Sequence, residues 1–284
     1  MMSSIRPPFP YFGGKQSLAA TIATALPPHR HYIEPFAGSL AVLLAKKPSP
    51  AETVNDVDHA LMTFWRILRD RPAELAVACE FTPHARHEHA TALTLDLDGE
   101  TDELEIARRV WVVLSQGRTS TLRPTGWRHD TTGPRSTSMP GRLDGYRARL
   151  LPAAERIRNV SLECRDGIEM ITAYGQGPDS VLYVDPPYLR RVRTSNYRRE
   201  MGSVRAHEHL AAELHDCTAS VVLSGYPDPL YDDMFRDWNR YELDAYTTQG
   251  ITGTARTEVL WSNRPLALDQ PNDLFSTIAA EETP

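Results

Sequence analysis

The chain has 284 residues, a formal net charge of −6 at pH 7 and a hydrophobic share of 41%, which is ordinary for a globular protein. The absence of any apolar run of about 18 residues argues against a transmembrane helix, and the first residues lack the apolar core of a signal peptide. The three cysteines lie far apart, without the spacing of a metal site or a disulfide framework. We therefore expect a protein of the reducing cytoplasm, built as one large domain or as a domain with a sizeable insertion.

The first seventy residues alternate helix-like and strand-like segments, an arrangement typical of a mainly parallel sheet. The first predicted helix ends before Pro27 and Pro28. The predicted elements are a helix at 16–25, a strand at 31–36, a helix at 40–46, a strand at 52–55 and a helix that runs to residue 68.

Between about residues 70 and 155 this alternation is lost. A helix at 103–115 precedes a stretch rich in Gly, Pro, Thr, Ser and Arg at 116–145, which predicts an inserted subdomain whose long loops carry binding function. Residues 106–159 contain eleven arginines against three acidic residues, and residues 190–205 contain six against one. Basic clusters in an acidic protein are typical of a surface that faces phosphates; the alternative is a solvated arginine-rich face.

The alternation returns in the second half of the chain. Segments at 241–243 and 258–261 are candidate final strands, which would form a hairpin, and the polar segment after Pro265 predicts a loose tail. The other predicted elements are strands at 160–163, 181–184 and 220–224 and a helix at 207–216.

The most informative motif is Asp185-Pro186-Pro187-Tyr188, which directly follows the apolar strand at 181–184. An acid at the carboxyl end of a buried strand lies where open α/β sheets bind their ligands. The prolines fix the backbone and lack N–H groups, so the nearby carbonyls are rigid acceptors, and the tyrosine offers a stacking face. Such a combination suits a planar group with an exocyclic amine, such as adenine or cytosine. The alternative is a strand that ends in a simple proline turn.

Two turns that contain glycine predict a cofactor site. In residues 11–15 (Tyr-Phe-Gly-Gly-Lys) the glycines allow a close approach of the backbone to a ligand and Lys15 adds a cation; a flexible N-terminal turn is the alternative. Residues 34–39 (Glu-Pro-Phe-Ala-Gly-Ser) have the strand, turn and helix start of a nucleotide-type site. Since Gly38 is the single glycine in this turn, a dinucleotide is disfavoured, and an adenosine cofactor without phosphates fits better.

Three aspartates follow predicted strands. Asp56 lies about 20 residues beyond the first strand, where an acid commonly accepts the ribose hydroxyls of an adenosine cofactor. Asp58 is a rival, although it also suits the N-cap of the next helix. Asp166 suits equally an adenine amino group and the N-cap of a helix at Gly167.

Five motifs together resemble the Dam-like (D12 class) family of N6-adenine DNA methyltransferases. They run from about residue 8 to residue 263 in the family's order, with cofactor motifs first, then the target-recognition insert, then the catalytic motif. One departure is visible, because the family often has a second glycine after Gly38, where this chain has Ser39 and Leu40. The motifs are Tyr-Phe-Gly-Gly-Lys (11–15), Glu-Pro-Phe-Ala-Gly (34–38), Asn-Asp-Val-Asp (55–58), Asp-Pro-Pro-Tyr (185–188) and Glu-Val-Leu-Trp-Ser-Asn (258–263).

The resemblance implies a Rossmann-like S-adenosylmethionine-dependent methyltransferase sheet with an inserted, mainly helical target-recognition subdomain. The implied reaction transfers a methyl group to adenine N6 in duplex DNA after base flipping, and it needs no metal. Asp185 and the Pro186 carbonyl would accept the two amine hydrogens, and Tyr188 would stack on the flipped base. The implied cofactor-binding residues are Tyr11, Gly14, Lys15, Glu34, Phe36, Gly38, Asp56, Asp166 and Asp185.

By the same resemblance, residues 1–69 and 156–264 form the catalytic domain, residues 70–155 the DNA-recognition insert and residues 265–284 a flexible tail. Arginine both reads guanine bidentately and anchors phosphates, whereas Trp111 and Tyr146 are expected in the core. The candidate DNA contacts are Gln116, Arg118, Arg123, Trp127, Arg128 and Arg191.

Alternatives to this function remain open from the sequence. N4-cytosine methylation uses the same geometry on another amine, and a serine in place of Asp185 would favour it. A catalytically inactive DNA-binding relative is disfavoured by the intact 185–188 motif, and an RNA or protein methyltransferase by the basic insert. The expected partner is double-stranded DNA, without a membrane, and the chain is expected to be a monomer. Residues 270–275 (Gln-Pro-Asn-Asp-Leu-Phe) loosely resemble motifs that dock bacterial proteins on the replication clamp, but a chance match explains them better.

Overall fold

The computed structural model describes residues 5–94, 102–129, 138–188, 201–247 and 254–269. Within them, seven strands form a single sheet. The strands are β1 His31–Glu34, β2 Ala51–Asn55, β3 Ser161–Glu163, β4 Ser180–Val184, β5 Ser220–Gly225, β6 Asn239–Thr247 and β7 Thr254–Ser262.

The strand order is β3-β2-β1-β4-β5-β7-β6. Strands β1 to β5 pair in parallel, whereas β7 runs antiparallel to both β5 and β6. The order reverses between β1 and β4, and such a switch point opens a crevice at the carboxyl ends of the strands. This confirms the Rossmann-like sheet, and the predicted final pair of strands is a hairpin of two nine-residue strands.

Helices cover the sheet. Those predicted at 16–25, 40–46, 103–115 and 207–216 are present with ends shifted by a few residues, while α4, α5, α7 and α8 were not anticipated between residues 70 and 155. In α4, α5 and α7 polar and apolar residues are not separated onto two faces, so periodicity gave no signal. The helices are α1 Ala19–Ala25, α2 Ala41–Ala45, α3 His59–Asp70, α4 Pro72–Glu80, α5 Arg86–Leu93, α6 Glu103–Gln116, α7 Met139–Arg147, α8 Leu150–Ile157, α9 Gly167–Tyr174, α10 Val204–His215 and α11 Pro229–Met234, with a 3-10 turn at Ala267–Asp269.

The core has two layers, one on each face of the sheet. In β4, Tyr183 packs in one layer with α3 and α6, and its neighbours Leu182 and Val184 pack in the other with α9, α10 and α11. All five residues of β4 are buried, as expected for a parallel strand covered on both faces. Asp185 and the residues after it therefore follow directly on a fully buried strand.

Helix α6 of the predicted insert shares the core of the sheet. Trp111 is fully buried, as predicted, and its indole donates a hydrogen bond of 3.0 Å to the Pro8 carbonyl. The described part of residues 70–155 is thus mainly helical and anchored on the sheet layer, and the functional boundary at residue 70 stays a prediction. At the other end of the chain, Leu266 is buried, so packing continues beyond the predicted boundary at residue 265.

Candidate active site

The carboxyl ends of β1, β2, β3 and β4 meet the N-terminal turn around a cavity of about 620 Å³. Parallel strands end at the same edge of a sheet, so side chains that follow them converge although they lie far apart in sequence. All of the predicted cofactor-binding residues line this cavity: Tyr11, Gly14, Lys15, Glu34, Phe36, Gly38, Asp56, Asp166 and Asp185.

The N-terminal turn packs tightly on the turn after β1. Gly38 has a φ of +48°, and a Cβ atom there would lie 3.0 Å from the Tyr11 ring. Gly14 has similarly little space, since its Cβ would lie 3.0 Å from the Tyr11 carbonyl oxygen. Glycine therefore fits both positions, at Gly38 because of its left-handed backbone and at Gly14 because of the close Tyr11 carbonyl.

The departure from the family's glycine pattern coincides with a strained residue. Leu40 has a φ of +55°, in the left-handed region that glycine adopts freely, and its side chain is fully buried. Non-glycine residues in this region typically cost about 1 kcal/mol or more. The burial of the leucine side chain in the core offsets this cost.

Two of the three aspartates after the strands cap helices. Asp58 accepts hydrogen bonds from Ala60 N and Leu61 N at the start of α3, and Asp166 accepts one of 2.8 Å from Ile168 N at the start of α9. The capping interpretations are therefore correct, and the exposed Asp166 carboxylate still lines the cavity.

Asp56 has a different role from its neighbour Asp58. Its carboxylate accepts hydrogen bonds from Gly38 N at 3.0 Å and from Asp58 N at 2.9 Å, and so ties the end of β2 to the glycine turn after β1. Burial raises the pKa of Asp56 to about 6, against the opposing effect of these backbone donors.

Glu34 lies at the end of β1 and is buried, with 3% of its surface exposed. The Tyr32 hydroxyl donates a hydrogen bond of 2.9 Å to it. Burial raises the pKa of Glu34 to about 8, and the nearby Asp185 charge adds to the rise. At this pKa Glu34 is mostly protonated at neutral pH.

Asp185 accepts hydrogen bonds from three side chains. The Lys15 ammonium lies 2.8 Å from each carboxylate oxygen, and the Ser224 hydroxyl lies 3.0 Å from Oδ1. The Tyr188 hydroxyl is also 3.0 Å from Oδ1. Burial alone would lower the pKa of Lys15, but the Asp185 and Glu258 carboxylates outweigh it and hold that pKa well above its ordinary value. Lys15 is thus a permanent cation beneath the 185–188 motif.

Tyr188 points inward in this conformation. It is 7% exposed, its ring meets the Tyr226 ring edge-on with centroids 4.6 Å apart, and its hydroxyl lies 2.7 Å from Glu258 Oε1. Lys15 also donates a hydrogen bond to this hydroxyl. A stacking role for Tyr188 on a flipped base stays a prediction, and it requires the ring to become accessible.

Sequence reasoning missed Ser224 and Glu258 as site residues. Ser224 ends the apolar part of β5, and Glu258 is 4% exposed on β7, where it lies 3.4 Å from Lys15 Nζ. Burial raises the pKa of Glu258, while the Lys15 ammonium opposes the rise. An acid on the face of β7 that also carries Leu260 was the available signal, because alternate residues of a strand share a face.

The candidate DNA contacts before residue 130 belong to a loop at residues 116–128, where Gly117 pairs in antiparallel fashion with Trp127. Gln116 is fully buried, with its amide bonded to the Pro83 carbonyl and its oxygen 3.4 Å from Trp127 Nε1. The Trp127 ring stacks with the rings of His84 and His129. A DNA contact by Gln116 would require this interior to open.

The arginines of the 116–128 loop differ in exposure. Arg118 and Arg123 are exposed, whereas Arg128 is half-buried and donates hydrogen bonds to the Arg118 carbonyl and the Ser120 hydroxyl. Arg191 and the clamp-like residues 270–275 lie outside the described residues. Their roles, and those of the loop arginines, stay predictions.

Known proteins that are similar to this chain include DNA methyltransferases. Residues 11–111 match the family of D12 class N6 adenine-specific DNA methyltransferases. The chain is 26% identical to the Type II methyltransferase M1.LlaDCHI of Lactococcus lactis subsp. cremoris, over 92% of this chain and 96% of that protein. No helix among the described residues is long and apolar enough to cross a membrane.

Solved structures overlap more loosely. Precorrin 8w decarboxylase of Methanobacterium thermoautotrophicum matches with a TM-score of 0.39 at 11% identity, over 91% of this chain and 98% of that chain. A SAM-dependent methyltransferase of Agrobacterium tumefaciens matches with a TM-score of 0.38 at 8% identity, over 93% and 72%. The fold is shown by the strand order itself.

Proposed function

We propose that the chain is a D12 class N6 adenine-specific DNA methyltransferase, and that its residues direct a methyl group from S-adenosylmethionine to adenine N6 in DNA. The observation that carries the proposal is the convergence of the predicted cofactor motifs and Asp185 on one cavity.

The cavity fits S-adenosylmethionine in size and charge. Its volume of about 620 Å³ is typical of a small-molecule site. Acidic residues outnumber basic ones in its lining, so it suits a cofactor that carries a sulfonium and an ammonium group and disfavours a polyphosphate. The acidic lining residues are Glu34, Asp56, Asp58, Asp166 and Asp185, against Lys15 and His209.

Glu34, Asp56 and Phe36 would hold this cofactor. Phe36 lies against the backbone at Gly167, where a Cβ atom would be 2.5 Å from its ring, and so presents a flat apolar wall. A cation bound next to the buried carboxyl of Glu34 would lower its pKa and favour the ionised form. When bound, S-adenosylmethionine supplies an electrophilic methyl group.

Asp185 and the Pro186 carbonyl would orient the adenine amine. The lone pair of that amine is delocalised into the ring, which makes it a poor nucleophile. Two acceptors that bind its hydrogens localise electron density on nitrogen and aim it, so positioning and electrostatics carry the reaction. A base inside a duplex cannot reach this cavity, and the target must therefore flip out, with Tyr188 as its stacking partner.

The exposed arginines of the 116–128 loop would contact the DNA. Phe12 N donates a hydrogen bond of 2.9 Å to the Ser120 carbonyl, so this loop is joined directly to the turn that carries Lys15. That link supports a DNA surface next to the cavity. A DNA substrate also agrees with action in the cytoplasm of a bacterial or phage-infected cell, and the monomeric state stays a prediction.

Expression in a host without DNA methylation, followed by sequencing that detects modified bases, tests the proposal. We expect N6-methyladenine at one recurrent short sequence, which also reveals the recognition site. Unmodified DNA, together with a purified protein that does not bind S-adenosylmethionine, would overturn it.

A further inference from the structure

Two carboxylates share one ammonium beneath the cavity. Lys15 lies 2.8 Å from Asp185 and 3.4 Å from Glu258, and the side chains of the two acids are 19% and 5% exposed. A single cation cannot neutralise both acids, so with both ionised the buried cluster carries one excess negative charge. Burying such a charge is costly, and its retention calls for a function.

The two carboxylate oxygens of Asp185 are occupied unequally. The Lys15 ammonium lies 2.8 Å from both, whereas the Ser224 and Tyr188 hydroxyls both lie 3.0 Å from Oδ1. Each carboxylate oxygen has about two acceptor positions, so Oδ1 is crowded and Oδ2 can still accept one hydrogen. A shift of Lys15 and Tyr188 toward another acid would relieve Oδ1 and leave Asp185 freer to orient an amine.

Glu258 is the acceptor within reach of the groups that Asp185 would release. The Tyr188 hydroxyl is 2.7 Å from Glu258 Oε1 and, with one hydrogen, donates either there or to Asp185. The Lys15 ammonium needs to move by about half an ångström to reach ordinary hydrogen-bond distance from the same oxygen. Both groups can thus pass from one acid to the other without a change in the backbone.

We propose that Glu258 is a positioning residue that receives the Lys15 ammonium and the Tyr188 hydroxyl when the target amine docks on Asp185. The inference rests on the proposed function and deepens it. Glu258 acts through its neighbours and does not touch the base. Its charge also keeps the cluster negative while positive charge develops on the attacking nitrogen, which stabilises the transition state more than the ground state.

The test compares Glu258→Gln and Glu258→Asp with wild type in single-turnover methylation at saturating DNA and cofactor. Glutamine keeps the shape but removes the charge, so we expect the rate to fall by about 30-fold or more. Aspartate keeps the charge at a shorter reach, and we expect a rate about 5-fold below wild type. The matched control is Glu242→Gln on the neighbouring strand β6, whose side chain is 58% exposed; it should match wild type.

Binding measurements separate positioning from structural damage. The Kd for S-adenosylhomocysteine, measured by calorimetry, and the Kd for DNA should both stay within about threefold of wild type, since the loss is confined to the transition state. A loss that appears in these constants, or aspartate as slow as glutamine, would contradict the inference. Should the glutamine variant fail to fold, the aspartate variant decides: a slower rate with unchanged binding supports the inference, and a wild-type rate overturns it.

Methyl transfer by the wild-type protein distinguishes a failure of this inference from a failure of the proposed function. A wild type that transfers no methyl group overturns the proposed function and, with it, the inference. An active wild type beside a fully active Glu258→Gln variant overturns the inference alone.

Discussion

The end of β4 and the 116–128 loop both carry clustered charges, but they hold them differently. At the end of β4, Lys15 and Asp185 are 170 positions apart and bond to each other in a site that is largely buried. In the loop, Gln116 and Trp127 pack inward against Pro83 and His84. Arg118 and Arg123 lie exposed at its surface. The comparison indicates a buried, internally bonded cluster beside an exposed basic surface.

Fewer arginines of residues 106–159 are available for DNA contacts than the number in the sequence suggests. Arg156 forms a buried ion pair with Glu52, and Arg108 pairs with both Glu88 and Glu105. Other arginines bond to backbone carbonyls within the chain. The members with such internal partners include Arg108, Arg109, Arg128, Arg147, Arg149, Arg156 and Arg158. Much of this positive charge therefore stabilises the fold.

The largest effect is expected at Asp185. The Asp185→Ala variant should lose methyl transfer by about a thousandfold or more, because the acceptor that orients the amine is gone. Its affinity for DNA should be close to that of wild type, since Lys15 still has Glu258 as a partner. Radiolabel transfer and fluorescence anisotropy measure the two quantities; normal transfer by this variant would remove Asp185 from the mechanism.

Replacement of Lys15 tests whether the buried cluster depends on its single cation. In Lys15→Met, Asp185 and Glu258 become like charges with no counter-ion, and we expect a loss of about 3 kcal/mol in the free energy of unfolding. Urea denaturation measures it. Lys47→Met is the matched control, because Lys47 is exposed; equal stability of both variants would contradict the dependence of the cluster on its cation.

Glu34, at the end of β1, should make the stability of the protein depend on pH. Its pKa is about 8 in the folded protein, against 4.5 ordinarily, so the unfolded chain ionises first as the pH rises. The free energy of unfolding should therefore fall between about pH 4.5 and pH 8, by roughly 3 kcal/mol from pH 5 to 7.5. Thermal melts across this range should show a flatter profile for Glu34→Gln, and identical profiles would refute the buried, protonated carboxyl.

The smallest effects are expected in the 116–128 loop. Arg118→Ala and Arg123→Ala should each weaken DNA binding by roughly 1 kcal/mol, with a shallower dependence on salt if they contact phosphates. Arg158→Ala serves as the control, because Arg158 is exposed but paired with Glu155. Unchanged DNA binding in both loop variants would show that the DNA-binding surface lies elsewhere on the chain.

Local patterns predicted the sheet and the cavity well. The apolar run at 181–184 and the glycine turns at 11–15 and 34–39 depend on short-range rules, namely strand burial and the backbone freedom of glycine. The resemblance to a known family then predicted that residues of these motifs share one site, and they line one cavity. These features needed no knowledge of long-range contacts.

What the sequence did not reveal depends on pairing between distant strands. Ser224 and Glu258 reach Asp185 because β5 lies between β4 and β7, and no local pattern encodes that neighbourhood. Gln116 was expected at the DNA surface, but α6 runs one residue further than predicted and buries it. Short helices such as α4 and α7 owe their stability to tertiary packing and not to a periodic pattern.

Mass spectrometry of nucleosides tests the central claim most directly. Purified protein is incubated with unmethylated duplex DNA and methyl-labelled S-adenosylmethionine, and the digested DNA is analysed for the labelled base. We predict label in N6-methyladenine with wild type and none with Asp185→Ala. Label in N4-methylcytosine, or equal label in N6-methyladenine with both proteins, would contradict the account.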